Sequence, residues 1–135
     1  MVDVLRERLM IHPLQLVGEI ALGTQRSLVS QHLTFAYSLE EIRVRFPLGA
    51  ANRVRVYLFL SFDPSSPTTA LPAGTPLLSW LSPNPYLLGD DCVIGLPMSL
   101  NVLTRGTWLK AHVVNTDIFA HTISVLMALK ELEAP

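Results

Sequence analysis

The chain has few groups with chemistry to offer: four histidines, one cysteine and 11 carboxylates among 135 residues. Two of the histidines, His112 and His121, bracket the segment "VVNTDIFA". Two imidazoles facing each other across a hairpin can begin a zinc or copper site, with Asp117, Asp90 or Asp91 completing it. Their spacing matches no diagnostic ligand motif. Histidine in an alternating strand is ordinarily a half-buried polar residue, so no metal and no other cofactor is expected. The segment "GDDC", residues 89 to 92, puts Asp90 and Asp91 beside the only thiol, Cys92. Adjacent strand carboxylates point to opposite faces and cannot act as an acid–base pair without a kink. Cys92 becomes a nucleophile only with a histidine base close by. The segment reads more simply as a polar turn leading into a strand.

Two further sets are candidates for binding rather than catalysis. Arg43, Arg45, Arg53 and Arg55 occupy alternating positions on either side of "PLGAAN". If the two segments pair as a hairpin, all four guanidinium groups share one face, continued by Tyr57 and Phe59. Like charges across a ladder cost stability unless countered, so the readings are an acidic partner surface, a nucleic-acid patch or a solvated sheet face. Trp80, Tyr86 and Trp108 are candidates for a sugar-stacking platform; the alternative is that they plug the core. No G-x-S-x-G elbow, phosphate-cradling glycine loop or H-E-x-x-H is found. The expected protein is not an enzyme.

The elements that would position these residues are mostly strands. Ile42, Val44 and Phe46 alternate with Arg43 and Arg45, and Val54, Val56, Leu58 and Leu60 alternate with Arg53, Arg55, Tyr57 and Phe59. The second run becomes apolar on both sides by Phe59, which requires cover on both faces. "DPSSPTTALPAGTPLLSWLSPNPY" is a proline-rich connection that cannot be a central strand throughout, though "PLLSWL" suits a short edge strand. In "CVIGLPMSLNVL", Gly95 and Pro97 mark a bulge or bend. "TWLKAHVV" and "HTISVLMALKEL" read as the closing strand pair. The last segment also fits a helical stripe, but its β-branched start favours a strand. Residues 1 to 24 give no sustained period, with His12-Pro13, Gly18 and Gly23 interrupting, and read as an N-terminal arm packed on something else, the alternative being a disordered or locally folded-back terminus. Residues 25 to 135 then form one antiparallel β-sandwich of jelly-roll type, with seven or eight strands.

Composition bounds the partners. Half the residues are hydrophobic and only 16% are charged, against about 25% in an average soluble chain. A chain this small needs more polar surface than most, so apolar exterior is expected to be covered by other subunits. A net charge of −1 argues against nucleic-acid binding. The longest uncharged stretch, Pro64 to Gly89, holds six prolines and cannot form a spanning helix. The N-terminus does not read as a signal peptide.

The layout from Leu33 to Leu132, "LTFAYSLEEIRVRFPLGAANRVRVYLFLSFD", then a proline-rich excursion, then "RGTWLKAHVVNTDIFAHTISVLMALKEL", resembles the head decoration proteins of long-tailed phages that infect Thermus-like hosts. The resemblance implies a jelly-roll-like sandwich that trimerises, sits on the capsid exterior and clamps joints between major capsid subunits. It also implies terminal arms laid on neighbours. Two other functions are weighed against it: a carbohydrate-binding module using Trp80, Tyr86 and Trp108, and a cupin-type metal enzyme, for which the histidines lack the clustered strand motif.

Overall fold

A computed structural model describes residues 11–78 and 85–132. It contains eight strands: β1 (Ile11–Ile20), β2 (Gln25–Val29), β3 (Tyr37–Phe46), β4 (Val54–Ser61), β5 (Thr75–Pro76), β6 (Cys92–Val102), β7 (Trp108–Asn115) and β8 (His121–Glu131). Among the described residues, no helix is long and apolar enough to cross a membrane.

The strands form two four-stranded antiparallel sheets, ordered β1-β8-β3-β6 and β2-β7-β4-β5. Each of β1/β2, β3/β4 and β7/β8 is split between the two sheets, which is the jelly-roll order. The alternating pattern produces this directly. Ile42, Val44 and Phe46 on one sheet meet Val54, Val56 and Leu58 on the other, together with Leu109, Ala111, Val113, Ile123, Val125 and Met127 in one buried core. In β3 the register shifts between Leu39 and Glu41. That irregularity moves the inward phase from Tyr37 and Leu39 to Ile42, Val44 and Phe46, so both halves of a ten-residue strand face the core. It lies opposite Pro97 and Leu100 of β6, close to the expected bend, and β6 itself runs unbroken through Gly95 and Pro97.

Three expectations are corrected. The arm was expected over residues 1 to 24, but residues 11–20 are β1, paired along their whole length with β8 and burying Leu14, Leu16 and Ile20. The sandwich therefore includes residues 11–20, and residues 1–10 lie outside the described residues. The irregular sequence period of this segment arises because Pro13 and Gly18 are tolerated in an edge strand. Second, β3 and β4 are not a hairpin. The connection "PLGAANR" crosses from one sheet to the other, with positive φ at Gly49 (93°), Ala51 (50°) and Asn52 (59°). Third, β7 and β8 lie in opposite sheets rather than pairing. The last segment is a strand, as expected, and not a helix.

Candidate functional site

The outward side of the β2-β7-β4 sheet holds several of the polar residues singled out above. β-Alternation turns Leu109, Ala111 and Val113 into the core and Trp108, Lys110, His112 and Val114 away from it. The ladder sets Ser27, His112 and Tyr57 in one row and Val29, Lys110 and Phe59 in the next. The proline-rich segment after β4 lies over these rows. Lys110 is fully buried, and its ammonium donates to Asp63 Oδ1 (3.0 Å) and Ser65 Oγ (3.2 Å). A buried ammonium without a partner would be costly, so this clasp fixes the segment to the sheet. The Asp63 carboxyl is lowered to about 2, first by the Ser65 hydroxyl and N–H and then by Lys110.

His112 is also fully buried. Its Nε2 lies 2.7 Å from Gln25 Oε1 and its Nδ1 2.7 Å from Ser27 Oγ. Gln25 Oε1 can only accept, so the neutral ring carries its proton on Nε2, and the single Ser27 hydroxyl proton is shared between His112 Nδ1 and the Pro67 carbonyl. Desolvation pushes the imidazole below its ordinary value of 6.5, which keeps it neutral at pH 7. A serine beside a histidine is the start of a nucleophile. Here, however, Ser27 is buried against the Pro67 carbonyl (3.1 Å) and the far nitrogen faces an amide rather than a carboxylate. The pair joins β2, β7 and the covering segment, and the geometry offers no attacking oxygen.

His121 sits apart from His112. Its Nε2 is 2.8 Å from Asp117 Oδ2 within the β7–β8 connection, and this bond, followed by the Ile118 N–H, holds the Asp117 carboxyl below its usual range. The expected facing of the two histidines fails because their strands belong to different sheets. Among the described residues no three His, Cys, Asp or Glu side chains converge on a common point. Asp90 Oδ1 accepts the Gly49 N–H at 2.9 Å and Asp91 turns the chain with φ 45°, so "GDDC" is a turn entering β6.

The four arginines are divided. Arg43 and Arg45 project from the outer face of the β1-β8-β3-β6 sheet, and Arg53 and Arg55 belong to the opposite side of the sandwich. Arg43 Nε donates to Glu41 Oε1 at 2.6 Å. Arg55 lies 5.0 Å over the Tyr86 ring, and Tyr86 tilts against Tyr57 at 5.4 Å. Phe59 is buried within its own chain and presents nothing to a partner. Trp108 stacks on His32 at 4.2 Å, four positions along β7 from His112, or about 13 Å at strand rise. Trp108 and Tyr86 therefore form no common platform, and Trp80 lies outside the described residues.

The sequence did not single out the end of the sandwich where four connections meet. There Leu22, Leu48, Leu88, Ile118 and Phe119 are all exposed. The connections are tied together: Gly23 N–H donates to the Asp117 carbonyl, Thr116 N–H to the Arg53 carbonyl, and Asn52 N–H to the Gly89 carbonyl. Asn115 Nδ2 adds bonds to the Ile20 and Phe119 carbonyls. The apolar side chains thus stand on a rigid base. A leucine or phenylalanine inside a turn-rich segment is the signal that could have found them.

No family model matches this chain, and no curated protein matches it. Solved structures of similar shape are known at low identity. A capsid chain of cyanophage Pam1 is 9% identical, with 91% of this chain and 85% of that one covered and a TM-score of 0.47. A chain of empty cowpea mosaic virus particles is 8% identical over 93% and 89%, with a TM-score of 0.43. FLHE is 11% identical over 89% and 97%, with a TM-score of 0.42. At these scores the likenesses decide nothing about function.

Proposed function

We propose that this chain is a non-enzymatic structural protein that associates with copies of itself, as a trimer, and stabilises a larger shell such as a virus capsid from its exterior. The observation that carries the reading is the apolar loop end. Five large hydrophobic side chains from all four connections at one end are held in water on a hydrogen-bonded base. Exposed apolar side chains gathered at one end in this way mark an association surface. The low charge content, 16%, supports the same conclusion.

The partner shell is assigned to the outer face of the β1-β8-β3-β6 sheet. Arg45, between Ser124 and Val93 in the ladder, makes no ion pair among the described residues, and Arg43 stands beside it. These two arginines are the part of the original set that suits an acidic partner surface. Sedimentation of the full chain tests the first half of the reading. A species of one chain mass at high concentration would refute self-association.

A further inference from the structure

Beside the clasped histidine lies an open cleft of about 530 Å3, lined by Gly23, Thr24, Gln25, Thr68, Thr69, Val114, Asn115 and Thr116. This volume lies within the range of small-molecule sites, about 300–1,000 Å3. Its wall has four hydroxyls and two amides and no charged side chain. The bonding inside the protein sets what each group still offers. Thr24 Oγ1 donates to the Ala21 carbonyl and Thr116 Oγ1 to the Arg53 carbonyl, so both face a ligand as acceptors. Asn115 is spent on the Ile20 and Phe119 carbonyls and the Asp117 N–H. Gln25 gives its oxygen to His112, leaving its NH2 group as a donor of fixed orientation. Thr68 and Thr69 bond no other described residue and adapt to either role.

We infer that this cleft binds a neutral saccharide. Fixed acceptors beside a fixed donor, with two adaptable hydroxyls opposite, suit a ligand whose groups both donate and accept. An anion would meet the lone pairs of Thr24 and Thr116 with no cation in the wall to offset them. A cation would find no carboxylate. An apolar ligand would leave the donor of Gln25 unpaired. The site differs from the aromatic trio read in the sequence, although one member is linked to it: Val114 in its lining is opposite Arg55 in the β4–β7 ladder, and Arg55 covers Tyr86. His112 acts as a positioning residue, since its Nε2–H aims the Gln25 amide. The inference does not depend on self-association, because every lining residue belongs to one chain.

The test titrates the full chain with a panel of neutral oligosaccharides (maltoheptaose, cellopentaose, chitotetraose) and their sulfated counterparts, reading amide chemical shifts by NMR. At least one neutral member is expected to shift the Gln25, Thr68 and Thr69 signals with a Kd of about 1 mM or tighter. The double variant T68V/T69V, altered only at exposed positions, should weaken binding about tenfold. Q25E, which still accepts the His112 proton but no longer donates, should weaken it further without unfolding the chain. No response to any neutral member at about 10 mM, tighter binding of the sulfated forms, or full binding by both variants overturns the inference. A monomeric wild-type chain that binds leaves it intact, so failure of the assembly reading is seen separately.

Discussion

Replacing Ile118 and Phe119 together by serine removes apolar surface that the fold itself does not use. Phe119 keeps 64% and Ile118 69% of its surface in water. For an aromatic side chain of about 200 Å2, that fraction at about 25 cal/mol per Å2 gives up to about 3 kcal/mol if a neighbour covers it, and isoleucine gives about 2 kcal/mol on the same scale. A neighbour covers this surface only in part, so the effect expected is a weakening of self-association by two to three orders of magnitude, about 3–4 kcal/mol. Folding should be untouched. The nearby bonds of this connection run through the Ile118 N–H to Asp117 Oδ1 and the Phe119 carbonyl to Asn115 Nδ2, and serine keeps both backbone groups. Sedimentation velocity over a concentration series reads the association, and a urea titration of the same samples, at a dilution where both proteins are monomeric, reads the fold. A variant that associates as the wild type does, with an unchanged urea midpoint, refutes the assignment of this end as the contact.

Three further outcomes follow from the covering segment and the core. The Asp63 carboxyl titrates at about 2 in the folded chain against 3.8 when free, so its contribution is complete above pH 4 and is lost as the pH falls toward 2. D63N should remove it at every pH, seen as faster proteolysis within residues 62–74 with the global urea midpoint nearly unchanged. His112 titrates below its free value of 6.5 because it is desolvated. The unfolded chain therefore takes up the proton first, and stability should be full above pH 6.5 and decline as the pH drops below it, a slope that H112Q flattens when midpoints are measured from pH 8 to 5. At Gly89 an added Cβ would stand 2.6 Å from Phe46 Cδ2 and 2.7 Å from Cys92 Sγ. G89A should cost about 1–3 kcal/mol in the denaturant midpoint, and an unchanged midpoint would mean that the buried Phe46 ring yields more readily than its packing implies.

Strand positions were legible because period two is a local property. Ile42 to Phe46, Val54 to Leu60 and Ile123 to Leu129 all place their apolar phase inward as read. Pairing partners were not legible, because the same alternation serves a hairpin and a chain that arches from one sheet to the other. The difference lies in "PLGAAN", where the left-handed Ala51 and Asn52 have no strong marker in composition. That ambiguity split the arginine set, and the same ambiguity in the β7–β8 connection separated His112 from His121. β1 was missed for a different reason: Pro13 and Gly18 look like breakers until the strand is known to lie at an edge. Lys110 and His112 were placed on the correct side of their strand, but their burial depends on a loop that packs over them from some 45 residues away in sequence, and no local pattern carries that.

The edges of the sheets constrain how copies can meet. A free edge is the usual route by which sandwiches extend one another, and here three of the four edge strands carry proline: Pro13 in β1, Pro97 in β6 and Pro76 in β5. The fourth, β2, is five residues long. Each proline removes a donor from a ladder that would otherwise be open, and so opposes strand addition. One sheet face is occupied by the chain's own Lys110–Asp63 clasp. Two of the surfaces that remain among the described residues are the apolar loop end and the outer face that carries Val17, Leu126 and Val93 around Arg43 and Arg45. A protein with its edges blocked and two separate surfaces open can contact its copies through one and a second component through the other. Substituting Leu126 by lysine should then leave self-association intact while abolishing attachment to the shell, and loss of both together would show that a single surface serves both contacts.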